Sequence, residues 1–253
     1  VTLGSLFAGI GGFDLGFERA GFTVRWQVER DAYCTRVLAH HWPHVRRYGD
    51  ARGVDWTAVE PVDVVCGGFP CQPHALIGRR LGAADPRDLW PEFRRCVRAL
   101  RPRWVVAENV AGLLSADAGR FFGDLLGDLA ASGYDTEWDC LPASAIGANH
   151  RRDRVWLLAY RERPGLEGHA GHGDDGDQPR RLDTDAHRPA AARCLRAPGP
   201  DAERSGWWDV EPLVGRVAHG VPHRMDRLRT LGNAVVPQLA EWLARRILAA
   251  EAP

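Results

Sequence analysis

Lysine is missing from this 253-residue chain: all 33 basic residues are arginine, set against 33 acidic ones. Net charge is therefore zero at neutral pH, so overall charge gives no reason to expect a polyanionic partner. The arginine bias reads two ways, as side chains suited to bidentate phosphate and base-edge contacts or as the imprint of a GC-rich genome. Long apolar runs are missing too. No stretch approaches the ~18 residues of a bilayer span, which argues against a membrane protein, and no glycine repeat suggests a collagen-like fibre. The 45% hydrophobic and 26% charged residues are those of an ordinary globular chain. A chain of this length makes one large domain, or a domain with a small appendage, and buries roughly three quarters of its unfolded surface.

Also lacking is any Cys-x-x-Cys pair. The six cysteines, Cys34, Cys66, Cys71, Cys96, Cys140 and Cys194, are scattered, which excludes a disulfide framework. Several lie in apolar stretches, where a reduced cysteine behaves as a small core residue. The chain opens in a strand-like segment with no signal or transit peptide ahead of it, so a reducing, cytoplasmic setting is expected. No metal is expected: His169 and His172 fall in a loosely composed segment, and Cys66 with Cys71 lacks a usual zinc spacing.

What is present is an alternation of short β-rich runs with helical patterns. Residues 3–8, 22–28, 62–66, 104–107, 135–141 and 154–160 read as strands. Helical spacing appears at Phe13, Leu15, Phe17 and Ala20, across 32–41, from Leu89 through Phe93, Cys96 and Val97 to Leu100, and at Phe121, Leu125, Leu126 and Leu129. Pro91 suits a helix start and Pro102 a stop. The count predicts a doubly wound, mostly parallel α/β sheet. Between Arg161 and Gly206 the only large aliphatic residues are Leu166, Leu182 and Leu195. That segment cannot build its own core and is expected to be partly disordered without a partner. Trp207 and Trp208 restore apolar character, and a helix after Pro237 presents Leu239, Trp242, Leu243 and Ile247 for packing on the sheet.

In open α/β sheets ligands bind beyond the carboxyl ends of the strands. The first strand runs into Phe7-Ala8-Gly9-Ile10-Gly11-Gly12, a tight turn that admits a ligand close to the backbone. Roughly 20 residues on, Glu29 ends the second strand, where a carboxylate can accept ribose hydroxyls. The spacing departs from Gly-x-Gly-x-x-Gly, so a packing turn accounts for it equally well. The third strand ends in Gly67-Gly68-Phe69-Pro70-Cys71-Gln72-Pro73 and the fourth in Glu108-Asn109-Val110. A thiol in a proline-bracketed loop beside a carboxylate makes a nucleophile and acid pair, whereas a structural cysteine sits mid-strand, as Cys66 does.

Together these residues resemble the DNA (cytosine-5)-methyltransferases that use S-adenosylmethionine. Phe7 to Gly12 is similar to the cofactor motif and Pro70-Cys71-Gln72-Pro73 to the catalytic loop. Glu108-Asn109-Val110 is similar to the base-binding motif, Arg152-Asp153-Arg154 to the paired arginines, and Gly232-Asn233-Ala234-Val235-Val236-Pro237 to the last motif. The resemblance implies a Rossmann-like methyltransferase sheet with a small irregular target-recognition insertion. Residues 1–160 would form the catalytic and cofactor-binding domain, 161–218 a reduced recognition region, and 219–253 a segment returning to the catalytic domain.

It also implies roles. Cys71 would add to carbon 6 of a cytosine extruded from double-stranded DNA, Glu108 would act at ring nitrogen 3, and Arg154 with Arg152 would steady the base. Phe7, Gly9 and Gly11 would line the S-adenosylmethionine site, Glu29 would hold the ribose, Asp50 the adenine, Leu89 would pack beneath it, and Asn233 would complete the pocket. Gln72, Arg79, Arg80 and Asn109 are the implied DNA contacts. A monomer is expected, either paired with a cognate restriction endonuclease or acting as a solitary or phage modification enzyme. The chain departs from the family pattern at His74 and Ala75, where an aromatic residue and a serine are frequent, and at His150, where glutamine is. Its recognition region is short, with Arg180, Arg181, Arg188, Arg193 and Arg196 as candidate contacts, and the arginine-bearing stretch before the last motif is compressed into 224–229. A transfer-RNA cytosine methyltransferase and a non-catalytic nucleic-acid-binding relative are the rivals. A nicotinamide dehydrogenase leaves Pro70-Cys71-Gln72 and Gly232-Asn233 without a role.

Overall fold

A computed structural model of the chain describes residues 1–70, 88–161 and 224–251. The strands are β1 (Thr2–Leu6), β2 (Thr23–Val28), β3 (Arg46–Tyr48), β4 (Val64–Gly68), β5 (Trp104–Val110), β6 (Asp135–Pro142) and β7 (Asp153–Tyr160). The helices are α1 (Gly12–Arg19), α2 (Ala32–His41), α3 (Trp90–Leu100), α4 (Arg120–Ala130), α5 (Arg224–Asn233) and α6 (Pro237–Glu251). The strands form one sheet in the order β3-β2-β1-β4-β5-β7-β6. All pairings from β3 to β5 are parallel, and β7 runs antiparallel to both β5 and β6. The strand order reverses between β1 and β4, so the carboxyl ends of those two strands flank the crevice where ligands of such sheets bind.

Alternation along the strands divides the core between the two faces. In β4, Val65 joins Leu6, Trp26, Phe93 and Leu125 on the side of α3 and α4. Its neighbours Val64 and Cys66 join Phe13, Phe17, Trp156, Leu243 and Ile247 on the side of α1 and α6. The central strands are buried on both faces, which is why they read as continuous apolar runs. Burial pushes the thiols of Cys66 and Cys96 well up, the setting of inert core cysteines.

Side-chain capping fixes where α2 begins. The Asp31 carboxylate accepts the backbone N–H groups of Tyr33 (2.9 Å) and Cys34 (3.1 Å) at the start of α2. At the other end of the chain Leu239, Leu243 and Ile247 of α6 are buried as expected, while the Arg246 guanidinium lies over the Trp242 ring at 5.1 Å.

Three features differ from the sequence reading. The strand expected over 104–107 continues to Val110, because Glu108 and Asn109 pair with Trp156 and Val155 of β7. The edge strand β3 is only three residues long and arginine-rich, too short for periodicity to reveal. Helix α5 has a weak apolar pattern: Met225, Leu228 and Leu231 are exposed. The expected recognition segment lies outside the described residues beyond Arg161. No described helix is long and apolar enough to cross a membrane.

Candidate active site

The turn after β1 holds three residues in the left-handed region: Phe7 (φ 53°), Gly9 (φ 57°) and Gly11 (φ 88°). For Phe7 that conformation is strained, and it persists because both neighbours of the turn are pinned. Ala8 donates its N–H to the Val28 carbonyl (3.1 Å), and Gly9 donates to Glu29 Oε2 (2.8 Å). Glu29 Oε1 accepts the Asp31 N–H at 2.7 Å. Glu29, found by spacing alone, therefore binds the turn to the end of β2. Among the described residues a β-carbon at Gly9 would find only the Phe7 carbonyl oxygen, at 4.0 Å, so they leave open space over the turn.

Beneath the turn is a polar cluster that sequence reasoning missed. Ser5 of β1, Asp14 of α1 and Gln27 of β2 are all fully buried. Asp14 Oδ2 accepts from Ser5 Oγ (3.1 Å) and Oδ1 from Gln27 Nε2 (2.9 Å). Burial raises the Asp14 pKa to about 6 against these hydrogen bonds. The signal was there in Asp14 between Phe13 and Leu15 and in Gln27 between Trp26 and Val28, polar residues set within apolar runs.

The remaining cofactor-side candidates are dispersed. Asp50 is exposed, accepts the Arg52 N–H at 3.0 Å and pairs with the Arg52 guanidinium at 3.2 Å. These contacts, the backbone N–H first, hold its pKa below the usual range. With Tyr48, Gly49, Gly53 and Val54 it lines a groove of about 490 Å³. Leu89 is buried at the start of α3, and Asn233 is exposed at the end of α5.

On the base side, Glu108 is 8% exposed and its Oε1 lies 3.1 Å from Arg154 Nε. Burial raises the Glu108 pKa to about 7, with Arg154 and then Arg152 pulling the other way. Gly68 sits opposite Glu108 in the parallel register, and a β-carbon there would lie 3.2 Å from Glu108 Oε2. Glycine at this position thus leaves the carboxyl its place at the mouth of β4.

Two candidates hold positions other than those expected. Asn109, expected on DNA, is 4% exposed: its Nδ2 donates to the Phe69 carbonyl (2.9 Å) and its Oδ1 accepts the Val110 N–H (2.8 Å). It ties β5 to the chain just ahead of Pro70 and Cys71 instead. Arg152, expected at the base, donates from Nη2 to the carbonyls of Gly232 (2.9 Å) and Ala234 (2.6 Å). Cys71, Gln72, His74, Ala75, Arg79 and Arg80 lie outside the described residues. No cluster of three metal-ligating side chains occurs among the described residues.

A seven-stranded sheet with one antiparallel strand, a left-handed turn after β1 and a buried Glu–Arg pair beside β4 together define the class. The chain belongs to the C-5 cytosine-specific DNA methylase family, whose sequence profile matches residues 1–184. It is 37% identical over 164 residues to the type II methyltransferase M.Eco47II of Escherichia coli, covering 63% of this chain and 39% of that protein. The type II methyltransferase M.NgoBI of Neisseria gonorrhoeae is 32% identical over 156 residues, 61% of this chain and 49% of the relative. The chain thus spans about half of such relatives, or less. Among solved structures, a putative DNA modification methyltransferase encoded within an E. coli prophage superposes with a TM-score of 0.54 at 27% identity, covering 64% of this chain and 47% of that one. The methyltransferase EhMeth of Entamoeba histolytica shares the fold, with a TM-score of 0.55 at 16% identity over 70% of this chain and 57% of its own.

Proposed function

We propose that this chain transfers a methyl group from S-adenosylmethionine to carbon 5 of a cytosine extruded from double-stranded DNA. The observation that carries the reading is Glu108, a buried carboxyl with a pKa raised to about 7 and Arg154 at 3.1 Å, on the strand next to the one leading into Pro70-Cys71. A carboxyl poised near neutrality is protonated often enough to donate to ring nitrogen 3 and basic enough to take the proton back.

Cys71, as thiolate, adds to carbon 6 of the base while Glu108 delivers its proton to nitrogen 3, which makes carbon 5 a nucleophile. Arg154 holds Glu108 in place and balances charge that develops on the base. After carbon 5 has gained its methyl group, loss of its proton expels Cys71 and restores the aromatic ring. Gln72, Arg79 and Arg80 would contact the DNA from the loop that follows Cys71.

The residues present fit the methyl donor. Open space over Gly9, a left-handed turn with backbone close to its surface, and Glu29 fixed at the end of β2 suit a nucleoside with a short charged tail. S-adenosylmethionine, when bound, supplies an electrophilic sulfonium methyl. Phe7, Gly9 and Gly11 would hold the amino-acid and ribose side, Glu29 the hydroxyls through lone pairs not taken by Gly9 and Asp31, Asp50 and Leu89 the adenine, and Asn233 the closing side. Relatives named type II methyltransferases favour a modification enzyme, either paired with a restriction endonuclease or solitary.

The test is transfer from labelled S-adenosylmethionine to unmethylated genomic DNA and, in parallel, to transfer RNA, with base-resolution sequencing and Cys71→Ala as control. Label at cytosine carbon 5 of DNA, lost in the variant, is the expected result. Label on RNA alone moves the substrate to transfer RNA, and unchanged turnover in Cys71→Ala ends the covalent mechanism.

A further inference from the structure

Helix α5 and the segment after it carry the last family motif, yet little apolar burial holds the helix itself. Thr230 is buried, while Met225 is 76%, Leu228 54% and Leu231 61% exposed. Polar contacts do the holding. Near its middle, Arg229 of α5 pairs with Asp31, the cap of α2, at 2.6 Å. At its carboxyl end the Arg152 guanidinium accepts nothing and donates to the carbonyls on both sides of Asn233. A cation on the last carbonyls of a helix satisfies acceptors that have no partner within the helix and meets the negative end of its dipole.

Arg152 reaches this position from a left-handed backbone (φ 38°) directly before β7, the strand that delivers Arg154 to Glu108. Burial lowers its pKa, with Arg154 the next contribution, and Glu108 alone opposes. The segment it holds touches both halves of the site. A β-carbon on Gly12, just past the cofactor turn, would lie 2.5 Å from the Val235 carbonyl oxygen, and one on Gly68, beside Glu108, would lie 3.9 Å from Val235 Cγ2. Val235 is therefore a wedge between the turn after β1 and the carboxyl end of β4. Gly11, Gly12, Arg152, Ala234 and Val235 share the wall of a cavity of about 440 Å³.

We infer that Arg152 is a positioning residue: it clasps the segment 232–236 so that Val235 sets the spacing between the methyl-donor turn and Glu108. The inference rests on the methyltransferase reading and assigns Arg152 no contact with the base. The left-handed φ of Arg152 accompanies this arrangement, in which its guanidinium meets the two carbonyls while Arg154, two residues on, faces Glu108.

The test compares Arg152→Ala and Arg152→Lys with the wild-type chain. Calorimetric binding of S-adenosylmethionine without DNA should weaken about tenfold in Arg152→Ala, the equivalent of one charge-assisted hydrogen bond. Amide exchange over 234–240 in the free protein should accelerate by a similar factor, and lysine, which can still donate to carbonyls, should recover most of both losses. Arg152→Lys keeps the comparison open should the alanine variant not fold. A fall in kcat with cofactor affinity and amide exchange unchanged in both variants would overturn the inference and return Arg152 to the base. Wild-type protein that binds no S-adenosylmethionine would instead remove the methyltransferase reading beneath it.

Discussion

Replacing Asp14 by asparagine tests the energetics of the cluster beneath the cofactor turn. Asp14 is wholly buried, its side-chain donors are the neutral Ser5 and Gln27, and its pKa stands at about 6 against 3.8 for an ordinary aspartate. The folded state therefore binds more protons than the unfolded state between about pH 4 and pH 6, and stability falls as pH rises through that window. Above it the full cost of holding a buried charge is present, about 3 kcal/mol at neutral pH. Asparagine removes the ionisation and keeps one acceptor. Its amide also brings a second donor into a cluster where Gln27 Oε1 is a buried atom without a partner among the described residues. Against this stands one compromised hydrogen bond, about 1 kcal/mol, since Ser5 and Gln27 both now donate to the carboxylate. Asp14→Asn should therefore be about 2 kcal/mol more stable than wild type at about pH 8 and nearly equal to it at about pH 4. Urea unfolding at a series of pH values measures this, and taking the difference between the two proteins cancels the parallel contribution of Glu108. A difference that does not change across the window, or a variant less stable at pH 8, would refute the claim that Asp14 is ionised at a cost.

Other outcomes follow from the same geometry. If Glu108 must be protonated, kcat/KM of wild type should decline as pH rises through about 7, and Glu108→Gln should lose that limb together with roughly 10²–10⁴ in rate. Gly68→Ala puts a β-carbon 3.2 Å from Glu108 Oε2, so turnover should fall about tenfold, while thermal unfolding moves little because the displaced group is a side-chain end. Asn109→Ala leaves the Phe69 carbonyl without its donor. It should cost about 1–3 kcal/mol in urea unfolding and lower kcat more than it raises KM for DNA.

How legible all this was differs by element. The strands β1, β4 and β7 announced themselves as largely apolar runs because both sheet faces are covered, and α2 matched its expected bounds because Asp31 caps it. Strand β3 and helix α5 did not, since their places depend on pairing with β2 and on the Arg229–Asp31 and Arg152 contacts, none of which leaves a periodic pattern. At the site, the residue types at strand ends pointed to Glu29 and Glu108, which follow from chain direction and spacing. The partners of Asn109 and Arg152 could not be read, because each spends its side chain on a backbone carbonyl far away in sequence. Any residue type can supply such a carbonyl, so no motif marks it.

The wedge at Val235 bears on how the molecule is made. The turn after β1 is translated long before the segment that packs on Gly12, a closure of high contact order that waits on the intervening chain. During synthesis the sheet from β1 to β5 can pair while the turn still lacks one wall. On the methyltransferase reading, a growing chain would hold the methyl donor poorly until residues 232–247 have emerged, so that competence would wait on this one closure instead of building up with the rest of the sheet.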